Sequence, residues 1–188
     1  MVYKLRFNRN THLLFDISAD EIEAKLGDMF LLDHSEKWSV VWKPLDGRFY
    51  DDSDKQNIVS VPDISLWFTN EIVCNEKAYS ILKEPLGAYG EWLPVNVEGI
   101  SYWLLHVTKK TGMENINLKA SERTIDVIDN IEVQKLSFIQ NKIENLLIFK
   151  TAYNNYQNIY CTENFRNLIE KNELQGLVFS ADMTNSPF

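Results

Sequence analysis

PDISLWFTNEIVCNEKAYSILKEPLGAYGEWLP, residues Pro62 to Pro94, carries the densest structural signal in the chain. It reads as a lead-in loop, a short strand, one amphipathic helix, a turn and a new strand. Asn75 is a good N-cap, because its side-chain oxygen accepts from the free N–H groups of the first helical turn. Ala78, Tyr79, Leu82 and Leu86 then recur at helical spacing and form one apolar stripe. Pro85 lacks the N–H that the helical ladder needs and should bend or shorten the last turn. Gly87 and Gly90 offer positive-φ positions for leaving the helix, and Glu91 to Val95 restarts an extended run. The stretch has the character of scaffold rather than of a reaction centre.

Upstream, Val2–Phe7 and Thr11–Asp16 flank the turn-prone Asn8-Arg9-Asn10 and predict a hairpin. Ser18 with Glu21 forms a capping box, and Ile17 with Ile22 a hydrophobic staple, so a helix is expected from there to about Phe30. It would bury Ile22, Leu26 and Met29 or Phe30. Trp38 to Lys43 alternates as a strand does, and Asp46-Gly47 marks a hairpin turn into Arg48–Tyr50.

Downstream, Ile100 to Thr108 is apolar on both faces, Trp103, Leu105 and Val107 on one and Tyr102 and Leu104 on the other. Such a run belongs at the centre of a sheet. Lys109 to Lys119 reads as polar loop. Ser121–Val127 and Ile131–Ile139 are separated by a turn at Asp129-Asn130, and Asn141–Asn145 turns the chain again before Leu146–Lys150. Ile159–Cys161 is extended, and Thr162 is an N-cap for a helix that buries Phe165, Leu168 and Ile169. Leu177–Phe179 closes as a strand after Gly176. The pattern predicts an α+β fold, a mostly antiparallel sheet of short strands with about three amphipathic helices. The organisation expected is an N-terminal portion over 1–60, a core over 61–181 and a loose tail over 182–188, all of which can form one domain.

The chain has 188 residues, 45% of them hydrophobic and 24% charged, which suits an ordinary globular protein. No apolar run reaches the roughly 20 residues that span a bilayer. The start, MVYKLRFNRN, lacks the apolar core and cleavage site of a secretory signal, so a cytoplasmic protein is expected. In that reducing setting Cys74 and Cys161 are expected as buried free thiols, with a disulfide as the alternative. The net charge of −8 speaks against nucleic acid or an anionic membrane as partner and allows a basic protein.

The chain carries no G-x-S-x-G, Gly-rich phosphate loop, HExxH or CxxC. Asp51, Asp52, Ser53 and Asp54 lack the alternating oxygen ligands, Gly and closing Glu of a calcium loop, and read as an exposed acidic loop. His106 lies within the central strand, where a hydrogen-bonded structural imidazole is expected; a dyad with Cys74 is the catalytic alternative. Asp63, Glu71, Glu91 and Glu122 lie beside aromatic strands, where one or more can be partly buried. Trp67, Trp92 and Trp103 fit core positions, while Trp38 and Trp42 are either core or partly exposed interface anchors. No metal and no cofactor are expected.

Pro62-Asp63-Ile64 with Trp67, Asn75-Glu76-Lys77-Ala78 with Leu82, and Gly90-Glu91-Trp92-Leu93-Pro94 occur in a set order. Tyr102-Trp103, Ser121-Glu122, Leu147–Lys150, Ile159–Phe165 and Leu174–Phe179 follow. In that order and spacing the chain, over roughly Val61 to Ser180, resembles the bacterial immunity-protein family first typed on a myxobacterial protein and found beside polymorphic toxins. The resemblance implies a cytosolic antidote that binds and blocks a cognate toxin domain without catalysis of its own. Asp63, Trp67, Glu91 and Trp92 would be its scaffold signature, fixing how the helix joins the sheet. The acidic charge suits a basic nuclease as the toxin. Asp51, Asp52 and Asp54 are the expected contact residues, as an accessible acidic loop. The alternatives are a ligand- or peptide-binding regulatory module and a hydrolase that uses two of the carboxylates.

Overall fold

The run at 100–107 does lie at the centre of a sheet in the computed structural model, which describes residues 1–27, 37–52, 60–127 and 130–184. Among those residues the chain forms β1 (Val2–Phe7), β2 (Leu14–Asp16), α1 (Ala19–Leu26), β3 (Leu45–Tyr50), β4 (Ile64–Trp67) and β5 (Glu71–Cys74). It continues with α2 (Glu76–Leu82), β6 (Gly90–Val97), β7 (Ile100–Val107), β8 (Lys110–Thr111), β9 (Glu122–Ile125) and β10 (Ile131–Lys135). It ends with α3 (Gln140–Ile143), β11 (Ile148–Thr151), β12 (Tyr160–Thr162), α4 (Glu163–Lys171) and β13 (Leu177–Ser180). The class is α+β with mostly antiparallel sheets, as the pattern of short strands predicts.

Six strands form one sheet in the order β2-β3-β6-β7-β5-β4, and five form a second in the order β13-β1-β12-β11-β8. Among the named strands of the described residues only β3–β6 and β8–β11 run parallel; β9 and β10 make a separate hairpin. Strands of both sheets are apolar on both faces because both faces are covered. Leu105, Ile72, Ile64, Leu5, Ile148 and Cys161 share one core with Ala78 and Leu82 of α2 and Phe165 and Ile169 of α4. On the far side of the six-stranded sheet Leu104, Val73, Val95 and Phe15 pack with Ile22 of α1. On the far side of the five-stranded sheet Phe149 and Tyr160 pack with Ile131, Val133 and Ile143. Each fully buried Leu, Ile or Phe contributes about 1.5–3 kcal/mol, so three such layers give the fold its stability.

Several local expectations are overturned, and each for a physical reason. β1 and β2 exist but do not pair. β1 inserts between β12 and β13, with Lys4 opposite Tyr160 and Ser180, whereas β2 pairs with β3 in the other sheet. The 1–60 portion therefore supplies strands to both sheets and is not set apart from 61–181. Ser18 does cap α1 by accepting from the Glu21 N–H, and Gly27 ends it at φ +93°. Glu21 completes no box; its carboxylate accepts from the Asp46 N–H instead. Met29, Phe30 and Asp129 lie outside the described residues.

Trp38–Val40 is a short 3-10 turn and not a strand. Asp46-Gly47 is the middle of β3, since a Cβ at Gly47 would lie 2.5 Å from the Phe15 ring. The Gly is there for close approach, not for a turn. Thr162 precedes α4 but donates its hydroxyl to Leu146 O at 2.5 Å instead of capping. In the tail, residues 181–184 are engaged: Lys4 donates to Thr184 O at 2.8 Å and Arg6 pairs with Asp182 at 3.4 Å.

The opening stretch holds one strand more than its sequence suggests. β4 and β5 form a tight hairpin, with Trp67 opposite Glu71, through a turn at Phe68, Thr69 and Asn70. Asn75 caps α2 as expected, accepting from Ala78 N–H at 2.9 Å. Neither Gly87 nor Gly90 has a positive φ. Gly90 is required because a Cβ there would meet the His106 carbonyl oxygen at 2.1 Å.

Candidate functional site

Directly opposed residues on neighbouring strands share a face, so register alone assembles a row. Trp67 on β4 faces Glu71 on β5, Glu71 faces His106 on β7, and His106 faces Glu91 on β6. Glu71 is 1% exposed, and a buried carboxylate must be neutralised and hydrogen-bonded. Lys150 does this from the other sheet, donating from Nζ to Glu71 Oε1 at 2.9 Å. His106 Nδ1 lies 3.1 Å from the same oxygen, and the Val107 N–H donates to Oε2 at 2.8 Å. Lys150 reaches this point because β7 runs on into β8, which pairs with β11. The cluster therefore marks the corner where the two sheets meet.

A short turn closes the row. The Trp38 ring stacks on the His106 ring with centroids 3.7 Å apart and planes 9° off parallel. Trp42 is parallel to Trp38 on its own turn, at 6.1 Å, and Trp67 meets Trp38 edge-on at 6.4 Å. Glu91 anchors the turn by accepting from Ser39 Oγ at 2.6 Å and from Ser39 N–H at 3.3 Å. Partial burial would raise the Glu91 carboxyl, but hydrogen bonds from Ser39 and from the Trp38 N–H hold it below the usual range. Trp42 Nε1 donates to Pro94 O at 2.9 Å. Outside this frame Val40 is 79%, Val41 47% and Phe68 53% exposed. The Phe68 ring sits 4.9 Å from that of Trp67.

Chemically, the acceptors of Glu71 are occupied by internal donors, and the indole covers the imidazole. What remains outward is an apolar and aromatic surface on a rigid polar base.

Asp63 stands beside the start of α2. Its carboxylate accepts from Asn75 Nδ2 at 2.9 Å, Lys77 Nζ at 3.1 Å and Gln175 N–H at 3.1 Å, joining the start of α2 to the lead-in of β13. Trp92 also serves the helix, since Tyr79 of α2 packs edge-on against it at 5.1 Å and stacks on Trp103 at 4.1 Å. Trp67 and Glu91 do something different: they hold the Trp38 turn rather than the helix. Glu122 is exposed on the β9–β10 hairpin. Asp51 and Asp52 are exposed just beyond β3, and Asp54 lies outside the described residues.

The Cys74–His106 dyad is not formed. Cys74 pairs with Trp103 and points into the core between the sheets, while His106 faces the other way with Glu71. Cys74 and Cys161 are buried free thiols in the same core, and burial pushes both well above the ordinary thiol range. Among the described residues no three His, Cys, Asp or Glu side chains are grouped to hold a metal ion, and no helix is long and apolar enough to cross a membrane.

Lys150 is the member of the cluster that sequence reasoning missed. It stands at the end of the Leu146–Lys150 run with nothing in that segment to mark it, and only the far-off Glu71 explains its burial. No protein-family model and no curated protein matches this chain.

Proposed function

We propose that this chain is an immunity protein that binds and neutralises a cognate polymorphic-toxin domain, acting through a protein interface without catalysis of its own. The observation that carries the reading is the ordered set of segments from Pro62-Asp63-Ile64 to Leu174–Phe179, which resembles that immunity family. Two further features support it. The net charge of −8 would steer a basic partner such as a nuclease toward the chain. Asp51 and Asp52 are exposed where such a partner can reach them.

The test is direct. The toxin domain encoded beside this chain should form a tight 1:1 complex with it, and co-expression should protect cells from that toxin. Absence of both binding and protection would overturn the reading.

One observation favours a second reading, a hydrolase: Glu71 and Glu91 flank His106 in a single row. A substrate would have to displace Trp38 to reach them. Hydrolytic turnover abolished by Glu91→Gln, in the absence of any toxin, would favour that reading over the first.

A further inference from the structure

We infer that Lys4 and Arg6 form a binding site for a phosphate group, and that the segment Ala181–Thr184 lies over it as a strap which the phosphate displaces. The site is on the far face of the five-stranded sheet and owes nothing to the immunity reading.

Alternation along β1 puts the two cations together. Tyr3 and Leu5 enter the core between the sheets, so Val2, Lys4 and Arg6 take the opposite face, where Val2 packs with Phe149 and Tyr160. Lys4 is 4% and Arg6 6% exposed. Lysine and arginine are almost never buried so far without a partner. The partner here is a stretch of backbone just beyond β13.

Thr184 O accepts from Lys4 Nζ at 2.8 Å and from Arg6 Nη2 at 3.4 Å, so an ammonium and a guanidinium converge on one oxygen. Arg6 Nη2 also reaches Asp182 O at 3.1 Å and Asp182 Oδ2 at 3.4 Å. A peptide carbonyl is neutral, and a point where two cationic donors meet suits an anionic oxygen better. The Asp182 carboxylate is shared with the strap itself: Oδ1 accepts from the Thr184 N–H at 2.9 Å and Oδ2 from the Thr184 hydroxyl at 3.0 Å. Its side chain is also half exposed.

Charge at Lys4 points the same way. Burial first and Arg6 second disfavour its ammonium, and Asp182 opposes them less than either. Tyr160, directly opposite Lys4, adds no negative charge, because burial pushes its hydroxyl well above the ordinary range. A phosphate brings about two negative charges at neutral pH and three acceptor oxygens, enough to meet both donors at once. An arginine fork beside a lysine point charge is a donor pair suited to that group.

The strap is built to yield. β13 ends at Ser180, and Ala181–Thr184 continues as irregular backbone held through the Lys4 and Arg6 side chains, with Met183 resting on the Phe149 and Tyr160 layer. Phosphate and strap use the same donors, so occupancy by one displaces the other.

The experiment titrates the full chain with inorganic phosphate at neutral pH, against chloride at equal ionic strength, and follows the Met183 methyl resonance. Saturable one-to-one binding that shifts this resonance is expected, and chloride should leave it in place. Arg6→Gln should weaken binding by at least about tenfold, the loss of one hydrogen bond to a charged group. Asp182→Asn alters only a half-exposed residue and should bind phosphate several-fold tighter, since it removes the competing carboxylate. A purely structural role for Asp182 gives unchanged or weaker binding instead, so this variant decides even if Arg6→Gln does not fold. Phenyl phosphate binding as well as the free ion assigns the site to phosphate esters, and its exclusion assigns it to the free ion; either supports the site. No saturable binding, an equal shift with chloride, or binding that Asp182→Asn fails to tighten would overturn it.

Discussion

Lys150 Nζ and Glu71 Oε1 lie 2.9 Å apart although the two residues belong to different sheets. Both side chains are almost wholly buried, so each has the other as a close partner of opposite charge. Replacing Glu71 by Leu leaves a buried ammonium without its anion and should cost roughly 3–5 kcal/mol. Adding Lys150→Met removes the stranded charge and should recover a large part of that loss. Urea unfolding of the two singles and the double decides it: additive losses would show that the pair is not coupled.

Asp63 gives a prediction at acid pH. Partial burial alone would raise its carboxyl, but hydrogen bonds from Asn75, Lys77 and the Gln175 N–H hold it below the ordinary 3.8. The folded state therefore binds the proton more weakly than the unfolded one. Its contribution is complete above pH 3.8 and disappears as the pH falls through the lower folded value. Asp63→Asn should be less stable than wild type by about 2 kcal/mol at neutral pH. The two stability curves should converge below pH 3.8, and parallel curves would refute the assignment.

Lys4 works in the opposite range. Burial first, and the neighbouring Arg6 second, lower its ammonium to about 8 from the ordinary 10.5, with Asp182 opposing them. Between those values the unfolded chain holds more protons than the folded one, so stability from this group rises with pH across the window. Wild type measured against Lys4→Met should gain stability from pH 8 to 10.5. A difference that stays flat would show Lys4 to be as freely hydrated as a surface lysine.

Gly90 tests the close approach of β6 to β7. A Cβ at that position would lie 2.1 Å from the His106 carbonyl oxygen, which is backbone and cannot rotate away. Gly90→Ala should destabilise by more than ~3 kcal/mol, beyond the usual range for overpacking. Gly99→Ala is the control, because nothing lies within 4 Å and only its φ of +84° is strained. A loss of about 1–2 kcal/mol is expected there. Thermal melts of the two variants should differ clearly.

The legible parts of this fold were those written in local chemistry. Asn75 announced α2, Ser18 announced α1, and the doubly apolar run at Ile100–Val107 announced the central strand. Partner choice was not local. Nothing in Val2–Phe7 says that it pairs with residues far along the chain instead of with its neighbour, because turn propensity at Asn8-Arg9-Asn10 is satisfied either way. The β4–β5 turn was hidden because Phe68 takes a left-handed conformation that sequence reading reserves for Gly or Asn. Gly47 misled in the reverse sense, having been selected by the Phe15 ring. At the candidate site Glu71 and His106 stood out as a carboxylate and an imidazole among aromatic strands. Their join to Lys150 and the stacking of Trp38 depend on tertiary register, which no spacing within one segment encodes.

The insertion of β1 between β12 and β13 has a consequence for how the molecule is made. As the chain leaves the ribosome, Val2–Phe7 emerges long before its neighbours at Tyr160–Thr162 and Leu177–Ser180. The strand must therefore wait while the residues between are made before its hydrogen-bond partners exist. Closing so long a loop slows folding, and the waiting strand is exposed to wrong pairings meanwhile. Synthesis rate and chaperone supply, rather than final stability, should then set how much of this protein a cell accumulates.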